Sequence, residues 1–189
     1  MVAPPSGKTM RTFDPNPHIE HHLDATHRNL DRMHTHVAIA DNKALIALTF
    51  QGGMIAGFAV LATTLKTHLQ NQPHVVQVGV AILIVLFLLT FLVSTWTLFQ
   101  AISPRVTPME STDDPSALFF FGSIARMSTE EFMSRMHELD PESIHVGLLK
   151  TTQSVAHIAA EKYKNLRTAY ICLGIQMLFF MMAAMLVII

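Results

Sequence analysis

The chain has 189 residues, half of them hydrophobic, and a formal net charge of −1. Near-neutral charge argues against a nucleic-acid-binding protein, and the polar parts are too short for an independent domain of usual size. The single cysteine, Cys172, excludes an internal disulfide and carries no information on redox compartment.

Residues 1–17 contain APPSG and DPNP, a proline and glycine density that predicts a disordered tail. From Ile19 a regular pattern begins. Ile19, Leu23, Thr26, Leu30, Met33, Val37, Ala40 and Ala44 alternate spacings of four and three, the signature of a heptad seam. No proline or glycine interrupts it before Gly52. The pattern predicts a cytoplasmic helix over 18–43 that continues as a first transmembrane span over 44–65. One unbroken helix of that length would be roughly 70 Å long. The first apolar run lies behind an acidic, histidine-rich segment. It therefore reads as an uncleaved targeting segment rather than a signal peptide.

Gly53 and Gly57 have the small-xxx-small spacing that lets membrane helices approach closely; glycine is also simply common in such helices. Residues 66–74 form a short loop, with Asn71, Gln72 and Pro73 at its turn. Residues 75–102 carry no charge, and their centre reads VGVAILIVLFLLTFLVSTWTLF. About 20 such residues cross the hydrocarbon core as a helix, and a soluble helix is rarely apolar on every face. This is the second span, closed by Pro104.

Residues 103–167 are predicted to be a cytoplasmic helical region. It opens with a proline-rich linker and an apolar segment, LFFFGSIARM, at Leu118–Met127. Ser128 and Glu131 fit a capping box. Asp140 and Pro141 mark the next start, as N-cap and first helical residue. From there Ile144, Leu148, Thr152, Val155, Ala159, Lys162, Leu166, Tyr170 and Leu173 recur every three or four residues. They predict a second long helix, running into a third span over 168–189. The fold class is an all-α integral membrane protein: three transmembrane helices and a cytoplasmic bundle, with two long helices continuous with the first and third spans. Such continuity lets a movement of the bundle pass into the membrane without a flexible joint, and it is equally how a plain anchor would look.

Charge placement sets the orientation. Five Lys and Arg precede the first span, seven lie between the second and third, and only Lys66 lies between the first and second. The positive-inside rule then puts the N-terminus in the cytoplasm, residues 66–74 in the periplasm and the C-terminus outside.

Three strings now matter together. ADNKALIALTFQGGMIAG straddles the start of the first span, LFFFGSIARMSTEEF follows the second, and IAAEKYKNLRTAY precedes the third. In that order against the spans, they resemble the transmembrane effector family of the Pycsar anti-phage system, from about Leu30 to the end. The histidine-rich stretch lies outside the resemblance. It implies an effector in the bacterial inner membrane that responds to cyclic UMP or cyclic CMP from a partner pyrimidine cyclase. Such an effector impairs the lipid bilayer to abort infection. Some relatives add a phosphodiesterase domain marked by a His-Asp pair, which this chain lacks.

Candidate ligand residues cluster at the membrane boundary. Asp41, Asn42 and Lys43 lead into the first span, and Lys162, Tyr163 and Arg167 lead into the third. A cationic side chain suits a nucleotide phosphate and an aromatic ring suits its base, while Asn42 suits the base edge. The bland reading is an interfacial cap and basic belt with a snorkelling lysine. Phe121 and Gly122 could add a stacking wall and a close approach, with Arg126 a further phosphate contact on the same helix; a run of phenylalanines is more often core. Gln51 and Gln176 fall at one depth inside the first and third spans, as interhelical glue or as part of a polar path. His18 and His22 have a metal-compatible i, i+4 spacing, and the cluster could sense pH; a solvated face is the better reading, so no metal is expected. No nucleotide-binding loop, zinc-protease or nucleophile-elbow motif occurs. No catalytic residue and no cofactor are expected. The heptad seam and the short inter-span loop suggest homo-oligomers. The alternative function is a constitutive membrane scaffold that recruits a cytoplasmic partner without nucleotide gating.

Overall fold

The computed structural model describes residues 17–70, 72–104 and 114–188. Every element in them is helical. Helix α1 is Pro17–Leu69 and α2 is His74–Ile102. A 3-10 turn at Pro115–Leu118 is followed by α3 (Phe121–Ile124), α4 (Thr129–Glu138) and α5 (Pro141–Ile188). The expected tail and most of the expected linker lie outside the described residues, as does Asn71.

The chain divides into two compact units. Of the described residues, the first contains 17–29 and 114–151, and the second those from 30 to 104 and 152–188. In the first unit, local chemistry sets each boundary. The Asp114 side chain accepts from Ser116 N–H at 2.9 Å and so caps the 3-10 turn. Ser128 Oγ accepts from Glu131 N–H at 3.1 Å at the start of α4. Asp140 Oδ1 accepts from Ser143 N–H at 2.7 Å at the start of α5. Phe119 packs against Gly147, where an added Cβ would come within 2.8 Å of the ring. Gly147 is thus a close approach inside a helix, not a break in it. The expectation that Arg126 shares a helix with Phe121 and Gly122 is not met. Helix α3 ends at Ile124 and Arg126 sits in the following turn, its N–H donating to Ser123 C=O. The reason is local: Ser128 must be extended to cap α4, so one turn of helix is all that fits.

The second unit holds the spans. Three helices are long and apolar enough to cross a membrane: His21–Leu69, His74–Ile102 and Pro141–Leu186. Along α1 the seam positions Leu30, Met33, Val37, Ala40 and Ala44 are buried or partly buried, and the residues between them are exposed except the partly buried Asp41. The same spacing continues through Ala47, Gln51, Met54, Phe58, Leu61 and Leu65. On α5 the buried line runs Val155, Ala159, Lys162, Leu166, Ala169, Leu173, Gln176 and Ala183. Ala169, not Tyr170, holds the seam position; Tyr170 is 44 % exposed. A small side chain is needed there because Ala169 meets Ala44, Ala47, Leu98, Ala101, Leu166 and Leu173 in one tight cluster. A second cluster packs Phe58, Leu65, Val80, Leu83, Phe87 and Ala183, with the Phe58 and Phe87 rings stacked at 4.0 Å. Most of the span surface faces outward: only 17 % of the apolar window of α2 is buried. Leu92, Trp96 and Leu178 are each more than 60 % exposed, as lipid-facing residues are.

Candidate functional site

The α1–α5 crossing carries the first candidate site. Asp41 and Lys162 are seam neighbours on facing helices, and Lys162 Nζ lies 2.5 Å from Asp41 Oδ1. The lysine side chain is 4 % exposed and the carboxylate 35 %. Burial of an ammonium is tolerated only with a partner, and Asp41 provides it. One turn further along, Tyr170 O–H donates to Lys43 C=O at 3.2 Å, and Lys43 Nζ stands 5.9 Å above the Tyr163 ring. The structure therefore brings Asp41, Lys43, Lys162 and Tyr163 together. Asn42 and Arg167 stand exposed beside them. The sequence reading took Tyr170 for a seam residue and missed its anchoring role; tyrosine's preference for membrane boundaries was the available signal.

In the first unit, Phe121 is 63 % exposed and Arg126 is exposed, whereas Phe120 is buried and Phe119 packs on Gly147. Gly122 is partly buried and makes no turn of positive φ. A cavity of about 230 Å³ lies here, lined by Asp114, Pro115, Leu118, Arg135, Glu138 and Leu139. Sequence reasoning did not find it, because its wall joins the linker end to α4. Asp114 Oδ2 accepts from Lys150 Nζ at 2.6 Å. That bond, followed by those from the Ser116 hydroxyl and N–H, pulls the Asp114 carboxyl down from 3.8 to about 2. Asp140 also sits below the usual carboxylate range because Ser143 donates to it. Two carboxylates against one guanidinium make the cavity a poor host for a phosphate. The His22 and His145 rings lie 6.1 Å apart, and among the described residues no group of three or more ligands is placed to hold a metal.

Within the spans, Gln51 is 2 % exposed and Gln176 and Ser94 fully buried. Gln51 Nε2 donates to Phe91 C=O and to Thr95 Oγ1, both at 3.0 Å. Ser94 Oγ donates to Ala169 C=O at 3.4 Å. Gly53 has nothing within 4 Å of an added Cβ, and Gly57 meets only the Phe180 ring at 3.5 Å. Gly57 therefore faces α5 of its own chain, while Gly53 faces no other element of it.

Three bilayer-length apolar helices, in a chain whose described elements are all helical, define a helical membrane protein. A family model, the Pycsar effector protein domain, matches residues 25–189. The chain belongs to that family, the membrane-associated component of an anti-phage defence. The match begins before Leu30, so His27, His34 and His36 fall inside it, contrary to the expectation that the whole histidine stretch lies outside. No curated protein and no solved structure gives a match.

Proposed function

We propose that this chain is a cyclic-pyrimidine-gated effector of the bacterial inner membrane, with its N-terminus in the cytoplasm and its C-terminus in the periplasm. Cyclic UMP or cyclic CMP from a partner cyclase is the trigger. Impairment of the membrane by a homo-oligomer is the outcome, aborting infection, and the chain performs no catalysis. The observation that carries this reading is the buried Lys162 held by Asp41 at the α1–α5 crossing of a Pycsar-family fold. A nucleotide phosphate competes with the Asp41 carboxylate for that ammonium. Tyr163 offers a face to the base, Asn42 its edge, and Lys43 and Arg167 a second charge. Exchanging Asp41 for a ligand removes a salt bridge between α1 and α5, which supports a shift of the two helices against each other.

The test is thermal stabilisation of the detergent-purified protein by a panel of cyclic nucleotides. A ligand that binds only the folded state raises the midpoint with dose. Cyclic UMP or cyclic CMP should do so, cyclic AMP and cyclic GMP should not, and Lys162→Met should abolish the shift. A folded protein that no nucleotide stabilises is instead a constitutive membrane scaffold. Cysteine labelling of residues 66–74 from the outside of intact cells checks the orientation; protection there reverses it.

A further inference from the structure

Two buried glutamines stand among the apolar residues of the spans, Gln51 on α1 and Gln176 on α5. Along both helices they lie between the Asp41–Lys162 pair and the Gly57–Phe180 contact. Gln51 spends its amide N–H groups on α2. Its Oε1 is buried without a partner, and so are both polar atoms of the Gln176 amide. Thr95 Oγ1 of α2 is one of the partners of Gln51, whereas the buried Ser94 donates to Ala169 C=O within the first apolar cluster. Each side of the two glutamines is closed by apolar packing: the cluster of Ala44, Ala47, Leu98 and Ala169 on one side, and that of Phe58, Val80 and Phe87 on the other.

Buried polar atoms without partners are rare because they are costly. A direct amide–amide bond would explain two glutamines as a device for setting helix register. No such bond is formed, and neither polar atom of the Gln176 amide has a hydrogen-bond partner within the described chain. Water is the partner that such a group takes in a closed interior. We infer that the buried amides of Gln51 and Gln176 form a hydrated polar site within the membrane unit, and that it lines the route by which water and small inorganic ions cross when the protein is active. The flanking apolar clusters are the seals, since an apolar constriction gates by excluding water. The route rests on the membrane-impairing reading above; the hydrated site does not.

The full chain is reconstituted in liposomes holding potassium and a much larger dye, and the cyclic pyrimidine nucleotides are added. Wild-type protein should release potassium and retain dye. Gln176→Leu should slow release roughly ten-fold or more, by removing a polar contact from the route between the two seals. Gln176→Asn, which keeps an amide, should restore it. Leu178→Ala, on the outward face of the same helix, should leave it unchanged. In detergent, Gln176→Leu should melt below the wild-type midpoint, because it displaces the bound water and removes the bonds that water makes to the amide. Release unchanged in Gln176→Leu overturns the route. A midpoint at or above wild type in that variant overturns the hydrated site, because it shows the amide to be dry and unbonded. Dye lost together with potassium shows bulk lipid disruption and also overturns the route. Wild-type liposomes that bind nucleotide and release nothing sink the membrane-impairing reading and the route with it, while the midpoint still decides the hydrated site.

Discussion

At the scale of the residue, the Asp41–Lys162 pair has unequal ends. Lys162 is almost wholly buried and Asp41 still touches solvent. Removing the carboxylate strands a buried ammonium, and removing the ammonium strands a carboxylate that water can reach. Asp41→Ala should therefore cost about 2 kcal/mol and Lys162→Met less than about 1 kcal/mol, both below the cost of breaking a fully buried pair. Melting of the two variants in detergent checks the order, and equal losses would contradict it. Asp114 gives a pH expectation. Its carboxyl lies below its ordinary value in the folded chain, so its bonds to Lys150 and Ser116 stabilise the fold above pH 3.8. That contribution is lost as pH falls from 3.8 towards about 2. Asp114→Asn should flatten acid unfolding across that window, read by circular dichroism.

At the scale of the element, Gly147 sets two effects against each other. Alanine in a helix interior gains about 1 kcal/mol over glycine. Here its Cβ would press within 2.8 Å of the Phe119 ring and 3.2 Å of the Pro115 backbone, and overpacking of this kind costs about 1–3 kcal/mol. The backbone contact cannot yield as a side chain can, so Gly147→Ala should destabilise the first unit by about 1 kcal/mol. Hydrogen exchange of α4 and the start of α5 reads this directly; slower exchange in the variant would mean the ring simply rotates away. The three spans read correctly from hydropathy, as did the two capped starts at Ser128 and Asp140, because each depends on neighbours within one or two turns. The Tyr170 assignment failed because positions 169 and 170 both satisfy a spacing of three or four. Only the crossing with α2, where Ala101 and Leu98 press on α5, requires the smaller one.

At the scale of the whole molecule, the span surfaces are far more apolar than one chain can bury, which lipid or further copies must cover. Gly53 lies on such an outward surface, with nothing near it in its own chain. Gly53→Leu should therefore leave the melting of a single chain within about 0.5 kcal/mol of wild type. If copies assemble through this close-approach face, the same variant should lose cross-linked oligomers in native membranes. Retained cross-links would put the copy interface elsewhere.

The number of spans, the all-helical class, the heptad seam and the family were all legible in the sequence. Hydropathy, helical period and short motifs are properties of contiguous residues, and no partner is needed to express them. The boundary residues could be named but not assigned, because Asp41 and Lys162 are 121 positions apart. Whether a lysine there is free for a phosphate or already held by a carboxylate depends on how far each helix is rotated about its own axis. The same rotation sends Phe121 outward while Phe120 turns in. It buries Gln176 with its amide unbonded and gives Gln51 two partners on α2. Those facts are set by the angle between packed helices, and only the tertiary structure decides that angle.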